Sequence, residues 1–357
     1  MNNKISEIME KLSYEKLGES LNIQTMVERE NEIAIIIDVD KDLYNRIVKS
    51  RLEEDVTKKI AKSGINAKIK FIYNQVLVEP KIVPLKPSQK ENLKQIVPIK
   101  GVKKVIVVVS GKGGVGKSTM SVNLAASFVK LGLSTALVDA DIYGPSVPSI
   151  LGINRYPELK NNLMLPIEVH GIKSISIGYI VDPEKAAIWR GPMITKALSQ
   201  LIRGTKWQDI DVMIIDMPPG TGDIHLSLME NYPIDGIIGV SFPSKLSVAD
   251  LKKSIAMCEK MKQPLIGIIN NCAYERNGNE IIESPFGANH LNDFCKDKNI
   301  EILGEIEISR ELAQSIDVGK PYILEEKCNP YIAKEFKSIA EKVIQFLEKR
   351  PRLKQQK

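Results

Sequence analysis

The stretch that decides the fold is residues 105–119, which read VIVVVSGKGGVGKST. Its first five residues are β-branched without a break, and such a run is typical of a parallel strand that is buried on both faces. The loop that follows, residues 111–118, matches the pattern G-x-x-x-x-G-K-[ST] in full. Leu124, Phe128 and Leu131 then recur at helical spacing, so the loop stands between a strand and a helix. This context predicts a nucleotide site.

The chemistry of the loop points to ATP and Mg²⁺. Phosphate groups repel one another, and glycines allow successive backbone N–H groups to turn towards them, beside the positive N-terminal end of a helix. We expect Lys117 to neutralise the β- and γ-phosphates and the Ser118 hydroxyl to bind Mg²⁺. The expected contacts of the nucleotide are Gly111, Lys112, Gly113, Gly114, Val115, Gly116, Lys117, Ser118 and Thr119.

Composition indicates an ordinary globular protein of two domains. The 357 residues are 43% hydrophobic and 26% charged, and the formal net charge of +6 is spread over 50 basic and 44 acidic residues. Nucleic acid is therefore not an expected partner. Residues 1–7 hold no apolar stretch of the signal-peptide type, and no run approaches the length of a membrane span. With four widely spaced cysteines, these features predict a cytoplasmic protein without membrane attachment.

Residues 1–75 predict a small α+β domain of order α-β-β-α-β. Its helices are expected over 4–21 and 43–60, and its strands over 23–27, 33–39 and 66–73, with a turn at residues 30–31. Residues 76–100 hold four prolines among lysines and predict a semi-extended linker; an ordered strap over the second domain is the alternative.

Residues 101–349 predict a nucleotide-binding domain, followed by a basic tail over 350–357. Apolar runs alternate with helical stretches, which is typical of a doubly wound α/β fold with a mostly parallel sheet. A helix over 330–349 carries an apolar face that we expect to pack on this sheet, with membrane attachment as the alternative. The predicted strands are 105–109, 134–140, 211–217, 236–242 and 264–270.

Three aspartates at the ends of apolar strands complete the predicted site. The second strand ends near Asp139 and Asp141, and the run 212–215 ends at Asp216. Because ligands of such sheets lie at the carboxyl ends of the strands, we expect Asp216 in the Mg²⁺ shell and Asp139 near the same ion. We expect Asp141 to orient the attacking water. Alternation along a strand puts Asp139 and Asp141 on one side; a structural role for one of them is the alternative.

The segment after Asp216, MPPGTGD at residues 217–223, predicts a rigid turn near the γ-phosphate. Two prolines and two glycines prevent the strand from continuing, and such a turn suits a nucleotide-sensing switch. His225 follows it and is interpreted either as a sensor of nucleotide state or as a surface or structural histidine. The other two histidines, His170 and His290, stand alone, and no spacing indicates zinc.

Lys112 distinguishes this loop from an ordinary phosphate-binding loop. A second lysine at this position is the signature of the deviant P-loop ATPases. Together with residues 139–146, 189–193 and 216–223, the loop resembles the Mrp/ApbC-type P-loop ATPases, relatives of MinD and of the nitrogenase iron protein. The resemblance covers residues 101–325, and the small N-terminal domain resembles the one that precedes the ATPase in many iron–sulfur assembly proteins.

This resemblance implies a homodimeric ATPase that binds a [4Fe–4S] cluster and passes it to apo iron–sulfur proteins. It implies that ATP is sandwiched between two copies, with Lys112 of one copy supplying transition-state charge to the nucleotide of the other. Asn271 is then expected to contact adenine, and Pro243 to lie near the base. Lys112, Lys117 and Asp141 are the expected catalytic residues.

The cysteines depart from the family pattern. The family places a Cys-x-x-Cys shortly after the adenine-contacting asparagine, whereas residues 273–287 contain no cysteine. Clusters are commonly held by four thiolates, so a symmetric dimer needs two from each copy. Cys272 and Cys295 are the candidate ligands, and burial as small apolar side chains is the alternative. Cys258 and Cys328 are expected to be buried.

Three functions follow from these features. The leading hypothesis is an ATPase with slow, dimer-dependent hydrolysis that assembles or carries iron–sulfur clusters. The alternative is a MinD/ParA-like switch or scaffold, in which ATP gates dimerisation without a cluster; the missing Cys-x-x-Cys favours it. A metabolic enzyme on the same fold, such as an ATP-dependent ligase, is the third.

Overall fold

The computed structural model of the chain describes residues 2–29, 32–39, 43, 46–47, 50–63, 65, 68–75, 97–180, 191–278 and 280–350. The predicted turn at 30–31, most of the predicted linker, residues 189–190 and the tail from 351 onward lie outside these ranges. The chain divides into two compact units, residues 1–83 and 84–357.

The described residues of the N-terminal unit form elements in the order α-β-β-α-β. Strand β2 pairs antiparallel with β1 and parallel with β3. Alternate residues of β2, which include Ile33, Ile35 and Ile37, are buried and share one apolar core with Met9 and Val56 of the two helices. The elements are α1 (Asn2–Leu17), β1 (Asn22–Arg29), β2 (Glu32–Val39), α2 (Leu52–Lys62) and β3 (Lys68–Gln75).

The C-terminal unit is built on an eight-stranded sheet of order β15-β12-β11-β4-β10-β5-β9-β8. All neighbours pair in parallel except the edge strand β8, which is antiparallel to β9. Its strands are β4 (Val102–Ser110), β5 (Thr135–Asp139), β8 (Ile167–Val169), β9 (Ile172–Ser176), β10 (Ile210–Asp216), β11 (Gly236–Ser241), β12 (Leu265–Asn271) and β15 (Ile302–Ile306). Two ribbons lie outside the sheet, formed by β6 (Leu159–Lys160) with β7 (Leu163–Met164) and by β13 (Tyr274–Asn277) with β14 (Glu280–Glu283).

Helices cover the sheet, and side chains from them form separate apolar cores with the strands. Phe128 and Phe336 belong to one core, and Leu198 and Leu228 belong to another. The helices are α3 (Lys117–Lys130), α4 (Val147–Ile150), α5 (Gly191–Arg203), α6 (Asp223–Asn231), α7 (Lys245–Lys260), α8 (His290–Lys298), α9 (Arg310–Val318) and α10 (Pro330–Glu348). Short 3₁₀ turns occur at Ile177–Tyr179 and Tyr322–Leu324.

The strand order fixes the place of the ligand site. From β4 the chain crosses to β5 and returns to β10 on one side of β4, and it then reaches β11 on the other side. In doubly wound sheets ligands bind at the carboxyl edge where the order reverses. That edge carries the end of β4 and the loop that follows it.

The predicted fold class is confirmed, and the five predicted strands of the sheet are present. Strands β9 and β15 are absent from the predictions because each mixes polar or glycine residues into a short run. Helix α10 buries Phe336, Ile339 and Val343 in a core with Leu303 of β15, so the predicted packing on the sheet is confirmed. No helix in the described part of the chain is long and apolar enough to cross a bilayer.

Candidate functional site: a phosphate-binding loop with three acids

The glycine-rich loop joins β4 to α3 at the carboxyl edge of the sheet. Gly114 and Gly116 have φ angles of 80° and 81°, a conformation that glycine adopts without strain. A Cβ added to Gly111 would lie 2.2 Å from the carbonyl carbon of Asp250, so only glycine lets the loop approach α7 this closely. A Cβ added to Gly114 would meet no atom within 4 Å. The loop is therefore fixed at its ends and open in its middle, as a cradle for phosphate requires.

Asn271, at the end of β12, holds the loop from the other side. Its side-chain N–H donates to the Val115 carbonyl at 2.9 Å, and its Oδ1 accepts from the Cys272 backbone N–H at 3.0 Å. A Cβ added to Gly116 would lie 2.3 Å from Asn271 Nδ2. Pro243 follows the neighbouring strand β11. The contact of Asn271 with adenine and the nearness of Pro243 to the base stay predictions.

Asp216 is the centre of a buried network that joins the loop to β10. Its carboxylate is completely buried and forms an ion pair with Lys117 Nζ at 2.8 Å. Ser118 Oγ donates to one carboxylate oxygen at 2.6 Å, and Ser121 Oγ donates to the other at 2.6 Å. The residues expected to bind phosphate and Mg²⁺ thus already touch one another.

Ser121 is a member of this network that the motif does not contain. It lies four residues after Lys117, so both are on the same face of α3, and that spacing is the signal that could have identified it. Ser146 Oγ also donates to Ser118 Oγ, at 3.1 Å. Thr119 lies in the first turn of α3, where its carbonyl accepts from the side chain of Asn123 at 2.9 Å.

Asp139 braces the turn that follows β5. Its oxygens accept from the Asp141 N–H at 3.1 Å, the Ser176 hydroxyl at 3.0 Å and the Val147 N–H at 3.3 Å. Burial, and secondly the negative charge of Asp216, raise the pKa of its carboxyl to about 8. Asp139 of β5 lies opposite Asp216 of the neighbouring strand β10 in the register of the sheet. The hydrogen bonds that Asp139 accepts give it a structural role. Its role near Mg²⁺ stays a prediction.

The expectation that Asp139 and Asp141 share one side of a strand is wrong, because β5 ends at Asp139. Asp141 lies in the turn after it, where its Oδ1 accepts from the Gly144 N–H at 3.2 Å. Burial raises the pKa of Asp141, against the opposing charge of Lys117. Asp141 lines a cavity of about 490 Å³ together with residues 218–219 and His225. It therefore faces open space beside the loop.

Lys112 is partly exposed. Its carbonyl accepts from Ser110 Oγ at 3.0 Å, which fixes its backbone. Within the described ranges, no carboxylate forms an ion pair with its ammonium group. Lys112 thus differs from Lys117, whose charge is matched by Asp216.

The segment 217–223 packs against the phosphate loop. The Gly220 N–H donates to the Ser110 carbonyl at 2.9 Å, and a Cβ added to Gly113 would lie 3.9 Å from Pro219 Cγ. His225 follows in the first turn of α6 and is 1% exposed, so the surface interpretation is wrong. Burial lowers the pKa of its ring from 6.5 to about 4, and the nearby Pro218 and Gly222 carbonyl groups raise it less.

We expect His225 to weaken the folded state as the pH falls from 6.5 to 4. In this window the unfolded chain binds a proton at His225 that the folded chain does not, so stability present above pH 6.5 is lost. The loss is at most about 3 kcal/mol for a shift of this size. Urea unfolding at pH 7 and pH 4 should show a steeper loss for the wild type than for His225→Gln. Parallel pH profiles of the two proteins would contradict the expectation.

The comparisons with known proteins decide the family. A family model described as ParA, NUBPL iron-transfer P-loop NTPase, matches residues 101–344. The chain belongs to this family. A curated relative from Rickettsia felis, named iron-sulfur cluster carrier protein, is 39% identical over 319 residues, which are 88% of this chain and 94% of the relative. The resemblance that the loop motifs indicate is thereby confirmed.

Solved structures show the same fold for this ParA-family NTPase. A nucleotide-binding protein from Archaeoglobus fulgidus, solved in complex with ADP, is 30% identical with a TM-score of 0.58, and the match covers 69% of this chain and 96% of that one. The cell division ATPase MinD of Pyrococcus furiosus is 21% identical with a TM-score of 0.51, covering 68% and 99%. At that identity the second likeness shows the fold alone.

The four cysteines of this NTPase differ in how deeply they are buried. Cys272 is partly buried at the end of β12, whereas Cys295 is 2% exposed in an apolar core under α7 and α8. Burial raises the pKa of each thiol to about 11. Cys258 is buried as predicted, and Cys328 is half-buried. Among the described residues, which include all four cysteines, no three His, Cys, Asp or Glu side chains are grouped to hold a metal ion.

A hairpin follows Asn271, in the stretch where the sequence resemblance predicts a Cys-x-x-Cys. Strands β13 and β14 pair from Tyr274 to Glu283. The Ala273 N–H donates to the Ile306 carbonyl at 2.9 Å, and the Ile308 N–H donates to the Tyr274 carbonyl at 2.8 Å. The hairpin is therefore attached at its base to the edge strand β15.

Proposed function

We propose that this NTPase binds ATP with Mg²⁺ as a cytoplasmic homodimer, hydrolyses it slowly, and transfers a [4Fe–4S] cluster to apo iron–sulfur proteins. One observation carries the proposal: a complete phosphate loop with its buried acid occurs in a chain 39% identical to a protein named iron-sulfur cluster carrier, matched over 94% of that protein. The ADP bound by the Archaeoglobus relative supports a nucleotide at this loop.

The donor set of the loop fits a magnesium nucleotide. Ser118 and Asp216 supply a hydroxyl and a carboxylate, and Mg²⁺ is commonly held by one or two such groups together with phosphate oxygens. Bound there, Mg²⁺ would neutralise charge on the β- and γ-phosphates. Lys117 exchanges its contact with Asp216 for phosphate oxygens, and the open amides of the loop donate to them. Asp141, which lines the adjacent cavity, orients the attacking water.

The ammonium of Lys112, which has no ion pair among the described residues, supports a role between two copies. A lysine whose charge is not matched by those residues is available to a nucleotide bound by another chain. Charge supplied in trans in this way acts as an arginine finger does, because it appears only when the dimer forms. Hydrolysis is then slow in the monomer and depends on dimerisation.

The cluster is the cargo of the proposed reaction. Four thiolates commonly hold such a cluster, and one copy of the chain groups no such set among its described residues. Two copies that each contribute Cys272 and Cys295 would complete it. Cys272 is partly exposed just after β12 and is the more accessible of the two thiols, whereas Cys295 requires α8 to move away from its core.

A second function is favoured by the hairpin at residues 274–283. Because this hairpin carries no thiol where the family has two, the chain would work as an ATP-gated dimerisation switch or scaffold. The nucleotide chemistry is the same in both cases. The two functions differ only in whether the dimer binds iron and sulfide.

We expect anaerobic reconstitution to give about four irons and four sulfides per dimer. The Cys272→Ala, Cys295→Ala variant should lose them, because it removes both candidate ligands. The matched variant Cys258→Ala, Cys328→Ala removes the other two thiols and should keep the cluster. Iron, sulfide and visible absorbance are measured on folded protein that still binds ATP. Absence of stoichiometric iron in the wild type would refute the carrier and leave the switch.

A further inference from the structure

His225 is a buried histidine whose ring completes no hydrogen bond of normal geometry with the residues that the structure describes. Its side chain is 1% exposed, and among the described residues neither Nδ1 nor Nε2 has a hydrogen-bond partner. Nearly all buried polar groups in native proteins are paired, and an unpaired one is destabilising by about 1–3 kcal/mol. A histidine with a purely structural role would have its N–H satisfied. The unpaired ring therefore indicates a partner that it meets in another state of the protein.

The surroundings of the ring show which segment that partner belongs to. His225 lines the same cavity as Asp141 and the two prolines at 218–219. The Pro218 and Gly222 carbonyl groups raise the pKa of the ring, yet neither forms a hydrogen bond of normal geometry with it. Both carbonyls belong to the segment 217–223, which lies between the phosphate loop and the ring.

The chemistry of the ring allows two arrangements of this segment. Burial keeps the imidazole neutral at physiological pH, so it carries a single N–H. That N–H can be donated to one of the two carbonyls at a time, and the other nitrogen can only accept. The segment is anchored at Met217 and Gly220, whose N–H groups donate to the Val108 and Ser110 carbonyls, and at Gly222, whose carbonyl accepts from the His225 backbone N–H at 3.0 Å. The adjustment therefore falls on residues 218, 219 and 221.

We propose that His225 is a positioning residue for ATP hydrolysis: its ring completes a hydrogen bond to segment 217–223 when the γ-phosphate is present, and so holds that segment against the phosphate loop. The proposal rests on the proposed binding of ATP at this loop. Pro219 is the residue through which an occupied loop would adjust the segment, because a Cβ added to Gly113 would lie 3.9 Å from its Cγ. The charged groups around the ring are Asp141 and Asp223 in the cavity wall, together with Lys117. His225 thus touches neither substrate nor metal.

The direct test is the ¹⁵N spectrum of the imidazole rings in the full-length protein. The chain has three histidines, so His225 can be assigned with His225→Gln, and His170 and His290 serve as internal references. Spectra are recorded without nucleotide, with Mg-ADP and with a non-hydrolysable Mg-ATP analogue. We expect the His225 nitrogens to shift with the ATP analogue and not with ADP. Identical His225 signals in all three states would overturn the proposal.

Turnover of two variants gives the second test. His225→Leu removes both nitrogens and should lower ATP turnover about tenfold, the effect of one lost hydrogen bond. His225→Gln keeps a donor and an acceptor and should retain at least about half of the turnover. The unfolding midpoint of His225→Leu should not fall, because an unpaired polar group is removed. Equal turnover of wild type and His225→Leu would overturn the proposal.

The same samples separate this inference from the proposed function. ATP and ADP affinities are measured by titration for the wild type and both variants, and they should agree within about twofold because His225 does not touch the nucleotide. A wild type that fails to bind ATP would refute the nucleotide site and this inference with it. Normal ATP binding with unchanged His225 signals would refute the inference alone.

Discussion

Replacing Lys112 by alanine lowers ATP turnover by about a thousandfold, the smaller end of the range for a charge supplied in trans. Affinity for ATP should stay within a few-fold of the wild type, because Lys117 and the loop amides still bind the phosphates. The large loss of turnover is expected because Lys112 has no ion pair within the described part of its own chain, so that its charge is available to the nucleotide of the other copy. Turnover and ATP titration are measured side by side, with the exposed Lys260→Ala in α7 as the matched control.

A mixing experiment shows which copy uses the lysine. Lys112→Ala and Asp141→Asn are each inactive alone, but in a mixed dimer the first variant keeps Asp141 and receives Lys112 from the second. One of the two sites is then complete. Equal mixing makes half of the dimers mixed, so turnover should recover to about a quarter of the wild type. If Lys112 acts on the nucleotide of its own chain, the mixture remains inactive, and that outcome would contradict the dimer mechanism.

Asp216→Ala should lower the free energy of unfolding of the C-terminal unit by about 3–5 kcal/mol. The substitution leaves the ammonium of Lys117, whose side chain is 7% exposed, buried without its partner. It also removes the acceptor of the Ser118 and Ser121 hydroxyls. Urea unfolding followed by fluorescence of the buried Trp207 measures the loss in a Trp189→Phe background.

Two further variants show whether the buried charge is the cause. Lys117→Met combined with Asp216→Ala removes both charges and should recover more than half of the stability that Asp216→Ala loses. Lys103→Met removes one partner of an exposed ion pair, Lys103 with Asp211 at 2.6 Å, and should change stability by less than about 1 kcal/mol. A double variant no more stable than Asp216→Ala would show that the lost hydrogen bonds, and not the unpaired charge, dominate.

The sequence predicted the parts of the site that local rules determine. An unbroken β-branched strand, a glycine-rich turn and a lysine–serine pair must occur consecutively to bind phosphate, so residues 105–119 were sufficient for the loop. The acid at the end of β10 followed from the same rule. The role of Lys112 towards the nucleotide of a second copy came from the family resemblance alone, because no periodic pattern in the sequence indicates it.

Other parts depend on tertiary contacts that a linear pattern does not contain. Strand β5 ends at Asp139, whose carboxylate accepts hydrogen bonds from the Val147 N–H and from the Ser176 hydroxyl, the latter 37 residues further along the chain. The spacing of Ser121 from Lys117 places it on the same helix face, but its hydrogen bond to Asp216 depends on the position of β10 beside α3. The burial of His225 likewise requires the packing of α6, since its local sequence is compatible with an exposed helix start.

The way the hairpin of β13 and β14 is attached has a consequence for how this protein family diversifies. The hairpin pairs its own backbone groups and contacts the rest of the unit through its base and through Arg276, which forms an ion pair with the buried Glu307 at 2.7 Å. The hydrogen bond from Asn271 to the Val115 carbonyl of the phosphate loop involves no hairpin residue. A different segment could therefore replace the hairpin without breaking the contact between Asn271 and the loop, provided that it supplies a partner for Glu307. An ancestral metal-binding arm can be lost, or a new recognition arm gained, while the ATP-driven cycle is inherited unchanged.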